Sequence, residues 1–566
     1  MNTRRFISAG WPYLYDVPAL HNCVPMLFAD VIARFSRLRG DHVLFLCGGD
    51  EHGARVEYVA EGVGRTPREV VDAAHAATMP LLSALSLSFD EFGRTSDPEH
   101  GRFVTDFVAR LRARDALVTR ELDVAWCDRC ARVLPDRFVE GTCPGCGGRA
   151  YGNQCQDKLM CGKLLRPGEL ASPRCGVCGD PAGSRRLAHL TLSLRRFGSL
   201  DGLCSSQPFA DEVGAIARRV LDENDEIAIT RDFSWGVPIE LPDGRHAAVD
   251  GWVDSLLAKL SFAVRRGEEQ MFTDSAAERL FFLGRDGVPY YSVVLPALLA
   301  AADRGYSLAR WHVQPNQVFT DEGGVCSRST GTGVWLAEAL ATLPGEYWRF
   351  YVLYAYAARA EAKDVSFRWE RFAETTNGVL VSPVEDAVDR IAGALLAGVP
   401  ADWRDDAGAR ELVGAATATA RAARHLLGER RLGRAFLALL DEWPRLAAAA
   451  AISPASAAGA REAARLLLPL LGCYLPETAA RAWTRLALRG SPKDVLTFVE
   501  GSHVDAGAPA PRGESLFPDG PIRARDAQRA YQHRVETRRR ARTLEEELVA
   551  ARADKLCGCP SEPGEM

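Results

Sequence analysis

The chain has 566 residues, of which 47% are hydrophobic and 25% are charged. This length and balance predict a soluble globular protein of three or four domains, at about 150 residues per domain. The 69 basic and 74 acidic residues give a net charge of −5, which excludes a protein held to nucleic acid by bulk charge but leaves room for a local basic groove. No apolar run approaches the roughly 20 residues that span a bilayer, and the N-terminal segment lacks the apolar centre of a secretory signal, so we expect a cytoplasmic protein.

Residues 1–117 alternate strand-like and helix-like segments. The apolar runs 6–10 and 42–49 end in glycines and predict buried parallel strands. Segments 24–40 and 67–85 carry apolar residues at helical spacing and predict helices. This succession predicts the first half of a doubly wound α/β domain.

Residues 118–184 are rich in glycine, cysteine and proline and have little apolar periodicity. Such a segment has too little apolar surface for a core of its own, so we expect bound metal to hold it together. The α/β pattern resumes over 185–380, with strand-like runs at 279–284 and 312–319. We therefore predict one α/β domain that is split by an insertion.

Eight of the 15 cysteines lie in this insertion, in three pairs with two intervening residues and one pair with five. In a long chain without a secretory signal, such pairs indicate metal ligation rather than disulfides. Two pairs complete a tetrahedral zinc site without an open position, so we predict two structural zinc ions, one at minimum, and no catalytic zinc. The alternative is that these cysteines are reduced and packed as small apolar residues. The predicted ligands are Cys127, Cys130, Cys143, Cys146, Cys155, Cys161, Cys175 and Cys178, of which Cys155 and Cys161 form the irregular pair.

The C-terminal third changes composition. Residues 381–500 are rich in alanine, leucine and arginine at helical periodicity and predict a helical bundle. Residues 501–523 have the proline and glycine content of a linker. A charged helix and a tail are predicted for residues 524–566.

Several segments together resemble methionyl-tRNA synthetases, especially those of the archaeal and eukaryotic type. The resemblance covers residues 5–380, implying a class I catalytic domain of Rossmann type with a zinc-knuckle insertion and a following helical anticodon-binding domain. It also implies that ATP, with Mg²⁺, activates an amino acid as its adenylate before transfer to tRNA. The segments are CGGDEHG (47–53), FGRTSDP (92–98), LPDRFVEGTCPGCG (134–147), ITRDFSWGVPI (229–239), WRFYVLY (348–354) and, in the linker, LFP (516–518).

The first ATP signature of this family reads His-Leu-Gly-His or His-Leu-Gly-Asn, and Ala19, Leu20, His21 and Asn22 align with it. The leading imidazole is therefore lost, and a donor of this kind is worth about 2–4 kcal/mol in the transition state. His21 either supplies a displaced imidazole or is an exposed loop histidine. His21 and Asn22 are the catalytic candidates here.

The second signature, Lys-Met-Ser-Lys-Ser in the family, aligns with Val325, Cys326, Ser327, Arg328 and Ser329. Arg328 retains a cation for the phosphates, whereas Val325 removes the other one. The resemblance implies catalytic roles for Ser327, Arg328 and Ser329. Arg285, beside Asp286, aligns with a family lysine and could compensate in part for the loss at Val325.

The residues that align with the family's amino-acid pocket fall into two groups. Asp50 aligns with the carboxylate that pairs with the α-ammonium, and Pro12, Tyr13, Trp252 and Asp286 align with further pocket residues. The residues expected near the side chain differ from the family: Trp11 replaces leucine, Lys259 tyrosine, Tyr291 histidine, Ser255 and Leu256 an Ala-Pro or Ala-Thr pair, and Gly287 a larger residue.

These replacements disfavour methionine, because Leu→Trp overfills a packed wall and a pocket lysine needs an anion or water. We therefore expect a small or polar amino acid, glycine and alanine included. The alternative is that Trp11 and Lys259 turn outward and the methionine pocket survives.

The family's anticodon-reading stretch, Asn-x-x-Tyr followed by Pro-Trp, has no counterpart in residues 434–460. Trp443 is more typical of a buried core residue than of a remnant of that motif. The basic segment 529–542 is more typical of a solvated helix face than of a nucleic-acid contact. tRNA is therefore disfavoured as a partner.

From these departures we hypothesise a ligase that transfers its activated amino acid to an acceptor other than tRNA. Synthetase-like domains resembling this chain occur in hydrazine-forming enzymes of specialised metabolism, where the acceptor is an N-hydroxylated amine such as N-hydroxylysine. Those enzymes also use a cupin domain, which this sequence lacks, so a separate cupin partner is expected. The alternatives are a diverged, genuine methionine–tRNA ligase and a catalytically inactive paralogue.

Overall fold

Strands from both sides of the insertion form one parallel sheet. The computed structural model describes residues 3–152, 155, 161, 163–165, 168–204, 209–322, 324–326, 332–359, 363–396, 398–489 and 515–557. Among these, the strands are β1 (Arg4–Ala9), β2 (His42–Gly49), β3 (Glu91–Arg94), β4 (Leu117–Cys127), β5 (Arg132–Val133), β6 (Val139–Thr142), β7 (Arg149–Tyr151), β8 (Ala171–Cys175), β9 (Gly183–Ser193), β10 (Leu203–Cys204), β11 (Glu226–Ala228), β12 (Thr230–Arg231), β13 (Pro238–Glu240), β14 (His246–Val249), β15 (Glu278–Gly284), β16 (Trp311–Asn316), β17 (Phe319–Asp321), β18 (Gly324–Val325) and β19 (Val365–Ser366).

Helices cover this sheet and form the C-terminal part of the chain. Within the described ranges they are α1 (Leu20–Leu38), α2 (Ala54–Val63), α3 (Pro67–Ala84), α4 (Pro98–Ala113), α5 (Leu194–Phe197), α6 (Ala210–Glu223), α7 (Gly251–Arg265), α8 (Gln270–Thr273), α9 (Leu295–Ala302), α10 (Leu336–Thr342), α11 (Gly345–Ala357), α12 (Trp369–Thr375), α13 (Ser382–Ala394), α14 (Ala407–Gly428), α15 (Leu432–Leu440), α16 (Trp443–Ala450), α17 (Pro454–Tyr474), α18 (Pro476–Arg485) and α19 (Ala524–Cys557). None of the described helices is both long and apolar enough to cross a membrane.

The main sheet has the strand order β10-β16-β15-β1-β2-β3, and every neighbouring pair is parallel. The order steps outward from β1 in both directions, which is the doubly wound arrangement predicted from the sequence. Phe6, Ile7 and Ala9 of β1 are fully buried, as expected of a central strand covered on both faces. In such sheets, ligands bind beyond the carboxyl ends of the strands, near the change in strand order.

A long antiparallel ribbon connects the insertion to the catalytic domain. β4 and β9 pair from Leu117–Leu192 to Trp126–Gly183, and the cysteine-rich segment lies between them. The expectation that this segment lacks a core is wrong, because it buries apolar side chains against Phe233 of the catalytic domain. They include Leu134, Phe138, Val139, Leu165 and Leu170.

Helices α13 to α18 form the predicted bundle. Trp443, at the start of α16, is fully buried, which confirms the prediction that it is a core residue. Segment 501–514 of the predicted linker lies outside the described residues, but the part from Ser515 onward is packed rather than extended as a free linker. Leu516 and Phe517 are 1% exposed, and the Phe517 ring lies 6.0 Å from that of Tyr347.

Helix α19 then packs on α10 and α12 of the catalytic part. The Tyr531 ring lies 5.3 Å from that of Trp369. Arg538 pairs with both Glu338 and Asp16, at 3.2 and 2.8 Å. The predicted charged helix therefore exists, but this part of it contacts the protein instead of presenting only a solvated face.

Candidate active site

The candidate site lies at the carboxyl ends of β1 and β2. The segment after β1 runs beside the end of β2: the Leu14 N–H donates to the Asp50 carbonyl at 2.8 Å, and the Asp50 N–H donates to that of Pro12 at 2.9 Å. These two bonds fix Trp11, Pro12 and Tyr13 against Asp50. The structure thus brings together residues that are 37 or more positions apart in the sequence.

Asp50 is buried, and its Oδ1 accepts no hydrogen bond from the described residues. Burial, followed by the nearby charge of Asp254, raises the pKa of Asp50 well above its usual range. A ligand ammonium at this carboxylate would supply the missing partner and favour its ionised form. The geometry is therefore suited to holding an α-amino group.

Two buried histidines hold the Asp254 carboxylate. His52 Nδ1 lies 2.8 Å and His100 Nε2 lies 2.9 Å from its oxygens, and His100 Nδ1 lies 2.7 Å from Ser261 Oγ. Burial by itself would raise the pKa of Asp254, but His100 and His52 lower it far below its usual value. This network ties α7 to the segment after β2. The sequence did not reveal it, although His52 lies within the CGGDEHG motif.

Stacked aromatic rings line one side of the site. The rings of Trp252 and Tyr290 are 4.1 Å apart and nearly parallel, and Tyr13 meets Trp252 edge-on at 6.2 Å. Trp252 lies in the first turn of α7, where its own N–H and that of Val253 donate to the Asp250 carboxylate. The sequence did not predict Tyr290 as a site residue, because its neighbour Tyr291 is the residue that aligns with the family's amino-acid pocket.

The insertion also borders the site. Burial raises the pKa of Asp136 to about 6, although Arg231 opposes this shift. Asp136 in turn contributes to raising the pKa values of Tyr13 and Tyr290, after burial as the main cause. Arg231 pairs with Asp250 at 2.9 Å. Asp136 and Arg231 both lie in segments that resemble the synthetase family. Their spacing in the sequence gave no indication that they lie close together beside this site.

Trp11 and Lys259 both point inward, which excludes the alternative that they turn outward. Trp11 is 7% exposed and Lys259 is 0% exposed. The Lys259 Nζ donates to the Ser255 carbonyl at 2.6 Å and to Ser255 Oγ at 3.2 Å. It also lies 4.5 Å from the centre of the Trp11 ring and 5.4 Å from that of Tyr291. These four residues occupy the region where the resemblance places a thioether.

The remaining predicted pocket residues frame this region. Leu256 is buried in α7, and Asp286 and Gly287 lie in the turn after β15. A Cβ on Gly287 would come within 2.9 Å of Leu283 Cδ1, so the glycine leaves little spare volume. Arg285 pairs with Glu212 of α6 at 2.6 Å. Its guanidinium is thus already engaged by a carboxylate, which weighs against the predicted compensation at the phosphates.

The first ATP signature forms the start of α1. The Ala19 N–H donates to Asn22 Oδ1 at 3.1 Å, and the Leu20 N–H donates to the Val334 carbonyl at 2.8 Å. His21 is half-buried in the first helical turn, and a Cβ at Gly333 would lie 3.4 Å from its Nδ1. His21 is therefore not on an exposed loop, and its role as a displaced imidazole stays a prediction.

Part of the second signature adjoins His21. Val325 ends the short strand β18, and the buried Cys326 packs beside Gly333. Ser327, Arg328 and Ser329 lie outside the described residues. The structure thus brings the described parts of both signatures together, as binding of one nucleotide requires.

The insertion cysteines form two separate four-thiol groups. One contains Cys127, Cys130, Cys175 and Cys178, and the other contains Cys143, Cys146, Cys155 and Cys161, and within each group the Sγ atoms lie within 4.8 Å of one another. Four clustered thiolates match the donor set of a closed, structural zinc site. Such an ion would cross-link loops and leave no ligand position for substrate. The irregular pair Cys155 and Cys161 completes the second group.

Comparison with known proteins agrees with this architecture. The family described as class I tRNA synthetases (M) matches residues 5–392. The chain is 30% identical to the methionine–tRNA ligase of Korarchaeum cryptofilum over 88% of this chain and 92% of that protein, and 33% identical to the one of Aeropyrum pernix over 87% and 90%. The Mycobacterium tuberculosis methionyl-tRNA synthetase bound by methionyl-adenylate has a similar fold, with a TM-score of 0.68 and 18% identity over 91% of this chain and all of that one. The chain belongs to the class I methionyl-tRNA synthetase family.

Proposed function

We propose that this protein activates an α-amino acid with ATP and transfers the aminoacyl group to a hydroxyl acceptor. A carboxylate oxygen of the amino acid attacks the α-phosphorus, an O–P bond forms, and pyrophosphate leaves. The acceptor hydroxyl then attacks the carbonyl carbon, loses its proton to solvent, and displaces AMP. Mg²⁺ accompanies ATP, as the family resemblance implies.

The observation that carries this proposal is the buried Asp50 carboxylate, whose Oδ1 has no hydrogen-bond partner among the described residues, in the same domain as the two ATP signatures. Asp50 would hold the α-ammonium, and this would leave the α-carboxylate free to face the nucleotide. His21 and Asn22, at the start of α1, would contact ATP. We expect the altered signatures to weaken this machinery, but α1 forms and contacts Gly333 and Val334.

tRNA is the better supported acceptor. The relatives named methionine–tRNA ligases align over about nine tenths of both chains, and these alignments extend into the helical bundle. A diverged methionine–tRNA ligase is therefore the first candidate, ahead of the non-tRNA ligase predicted from the sequence. Its methionine specificity has weaker support, because Trp11 and Lys259 fill the region expected for the thioether.

An acceptor other than tRNA is the second candidate. It is favoured by Trp443, which is fully buried and offers no ring face to an anticodon base. An N-hydroxylated amine such as N-hydroxylysine, with a separate cupin protein acting on the ester, stays a hypothesis from the resemblance alone.

Amino-acid-dependent ATP–pyrophosphate exchange with the full chain tests the proposed activity. We expect exchange with at least one amino acid, and a loss of about 100-fold or more in Asp50→Asn, because a charge-assisted bond to the substrate is removed. Asp222→Asn, on the exposed side of α6, is the matched control and should retain full exchange. Absence of exchange with all amino acids, tested with and without acceptors, would support the inactive paralogue instead.

The acceptor is decided in a second assay. Charging of tRNA carrying a CAU anticodon supports the first candidate, whereas an ester of N-hydroxylysine detected by mass spectrometry supports the second.

A further inference from the structure

Lys259 is a buried lysine whose hydrogen-bond partners are neutral oxygens. It is 0% exposed, and both of its hydrogen bonds go to oxygens of Ser255. Neither bond goes to a carboxylate, and the described residues give it no carboxylate hydrogen-bond partner. The rings of Trp11 and Tyr291 offer their faces to the cation. This stabilises it, but less than an anion would.

An ammonium without an anion is costly in a packed interior. Desolvation disfavours its charged form, and a pocket for a thioether or a methyl group requires no cation at this position. Asp50 makes no hydrogen bond to Lys259 and is therefore not its direct counter-ion. The two side chains nevertheless place one acidic and one basic group close enough to affect each other's ionisation across the site.

The pocket walls keep Lys259 in this position. A Cβ on Gly48 or Gly93 would lie 2.5 or 2.8 Å from the Trp11 ring, so the indole occupies space that these two glycines leave free. Phe262 meets the same indole edge-on at 5.5 Å. Trp11 therefore covers Lys259 as a fixed wall.

We propose that Lys259 binds a carboxylate on the side chain of the substrate, so that the amino acid activated is acidic, aspartate or glutamate. Its α-ammonium pairs with Asp50 and its side-chain carboxylate pairs with Lys259, which satisfies both buried charges at once. Lys259 is thus the residue that determines specificity. This inference rests on the proposed activation step; it replaces methionine as the amino acid and leaves the acceptor, tRNA or another hydroxyl, open.

Acidic amino acids and their amides, which are nearly equal in size and shape, provide the test. Exchange is measured with the full chain on aspartate, asparagine, glutamate, glutamine, methionine, glycine and alanine. We expect kcat/KM for one acidic amino acid to exceed that of its own amide by about 100-fold or more, since only the acid neutralises the buried cation. In Lys259→Met this ratio should fall to about one, while exposed Lys363→Met keeps the wild-type ratio.

The outcomes separate the two proposals. Preference for methionine, glycine or alanine over both acids overturns the acidic substrate and leaves amino-acid activation standing. Lack of exchange with every amino acid overturns the activation step itself. If Lys259→Met does not fold, as judged by its melting curve, the acid-to-amide ratio of the wild-type protein decides alone: a ratio near one rejects the proposal.

Discussion

At the scale of single residues, Lys259 sets the charge at one end of the proposed substrate site and, in our proposal, the choice of substrate. Burial lowers its pKa from an ordinary 10.5 to about 7, while the negative charges of Asp50 and Asp254 and the Cys47 thiol on the facing strand oppose this shift. An anion bound next to the ammonium would raise the pKa again. Ligand binding and proton uptake are therefore linked at this residue.

We predict that, on binding the acidic substrate, the wild-type protein takes up about one proton more than Lys259→Met at pH 8 and about the same number at pH 5.5, because any proton released from Asp50 is common to both proteins. Well above pH 7 the ligand-free lysine is largely neutral and becomes charged in the complex, whereas well below pH 7 it is charged in both states. Calorimetric titrations in two buffers with different ionisation enthalpies measure this uptake. The same proton count for the wild-type protein and Lys259→Met at pH 8 would contradict the linkage.

At the scale of elements, the two cysteine groups are separate cross-links within one insertion. We predict two zinc ions per chain, falling to one in Cys127→Ser and to one in Cys143→Ser, because each substitution breaks a different group. Metal analysis after exhaustive dialysis provides the count. Cys473→Ser, which changes a buried cysteine of α17, should keep both ions. Loss of both ions in either insertion variant would show that the groups do not bind independently.

Helix α19 supports the segment next to the first ATP signature. The Tyr531 hydroxyl accepts from the Trp335 N–H at 2.7 Å and donates to the Gly333 carbonyl at 3.4 Å, and Gly333 adjoins His21. We predict that Tyr531→Phe raises the KM for ATP about fivefold, the equivalent of about 1 kcal/mol for a lost hydrogen bond, and leaves the KM for the amino acid unchanged. Initial rates of pyrophosphate exchange measure both constants.

Tyr58→Phe is the matched control, since Tyr58 makes a similar bond to the Gly176 carbonyl in the insertion. A change in the KM for ATP of the same size in both variants would assign the effect to general loosening.

At the scale of the whole molecule, Arg349 joins the catalytic domain to the bundle. Its buried guanidinium pairs with Asp30 of α1 at 2.5 Å and donates to the Leu85 carbonyl at 3.2 Å, and on the bundle side it donates to the carbonyls of Cys473 and Tyr474. We predict that Arg349→Met lowers the free energy of unfolding by about 3–5 kcal/mol, because it leaves buried acceptors and a carboxylate without this partner. Urea unfolding followed by circular dichroism measures the loss.

The exposed pair of Arg390 and Asp386 offers the comparison. Arg390→Met should change stability by less than about 1 kcal/mol. Equal losses in the two variants would mean that Arg349 has no special role at the joint.

The sequence predicted the local elements better than the contacts between them. The runs 6–10 and 42–49 lie within or next to β1 and β2, and 67–85 matches α3, because burial and capping act over a few residues. The four-residue strand β3 gave too short a pattern to be predicted.

At the site, too, the sequence predicted individual residues better than the contacts between them. Asp50 and Lys259 could be singled out from the sequence, but the direction of Lys259 depends on Gly48 and Gly93 through Trp11. The approach of Asp136 from the insertion likewise depends on packing between distant segments, which no local pattern encodes.

The two cysteine groups are nested along the chain, and this has a consequence for the order of assembly. Cys146 and Cys155 of the inner group are nine residues apart, whereas Cys130 and Cys175 of the outer group are 45 apart. Closing the longer loop costs about 1.4 kcal/mol more in chain entropy, and filling the inner group first shortens it. A chain leaving the ribosome also completes the inner group at Cys161, before Cys175 and Cys178 exist. Metal should therefore enter the insertion from its tip toward its base, so that the ribbon of β4 and β9 closes last.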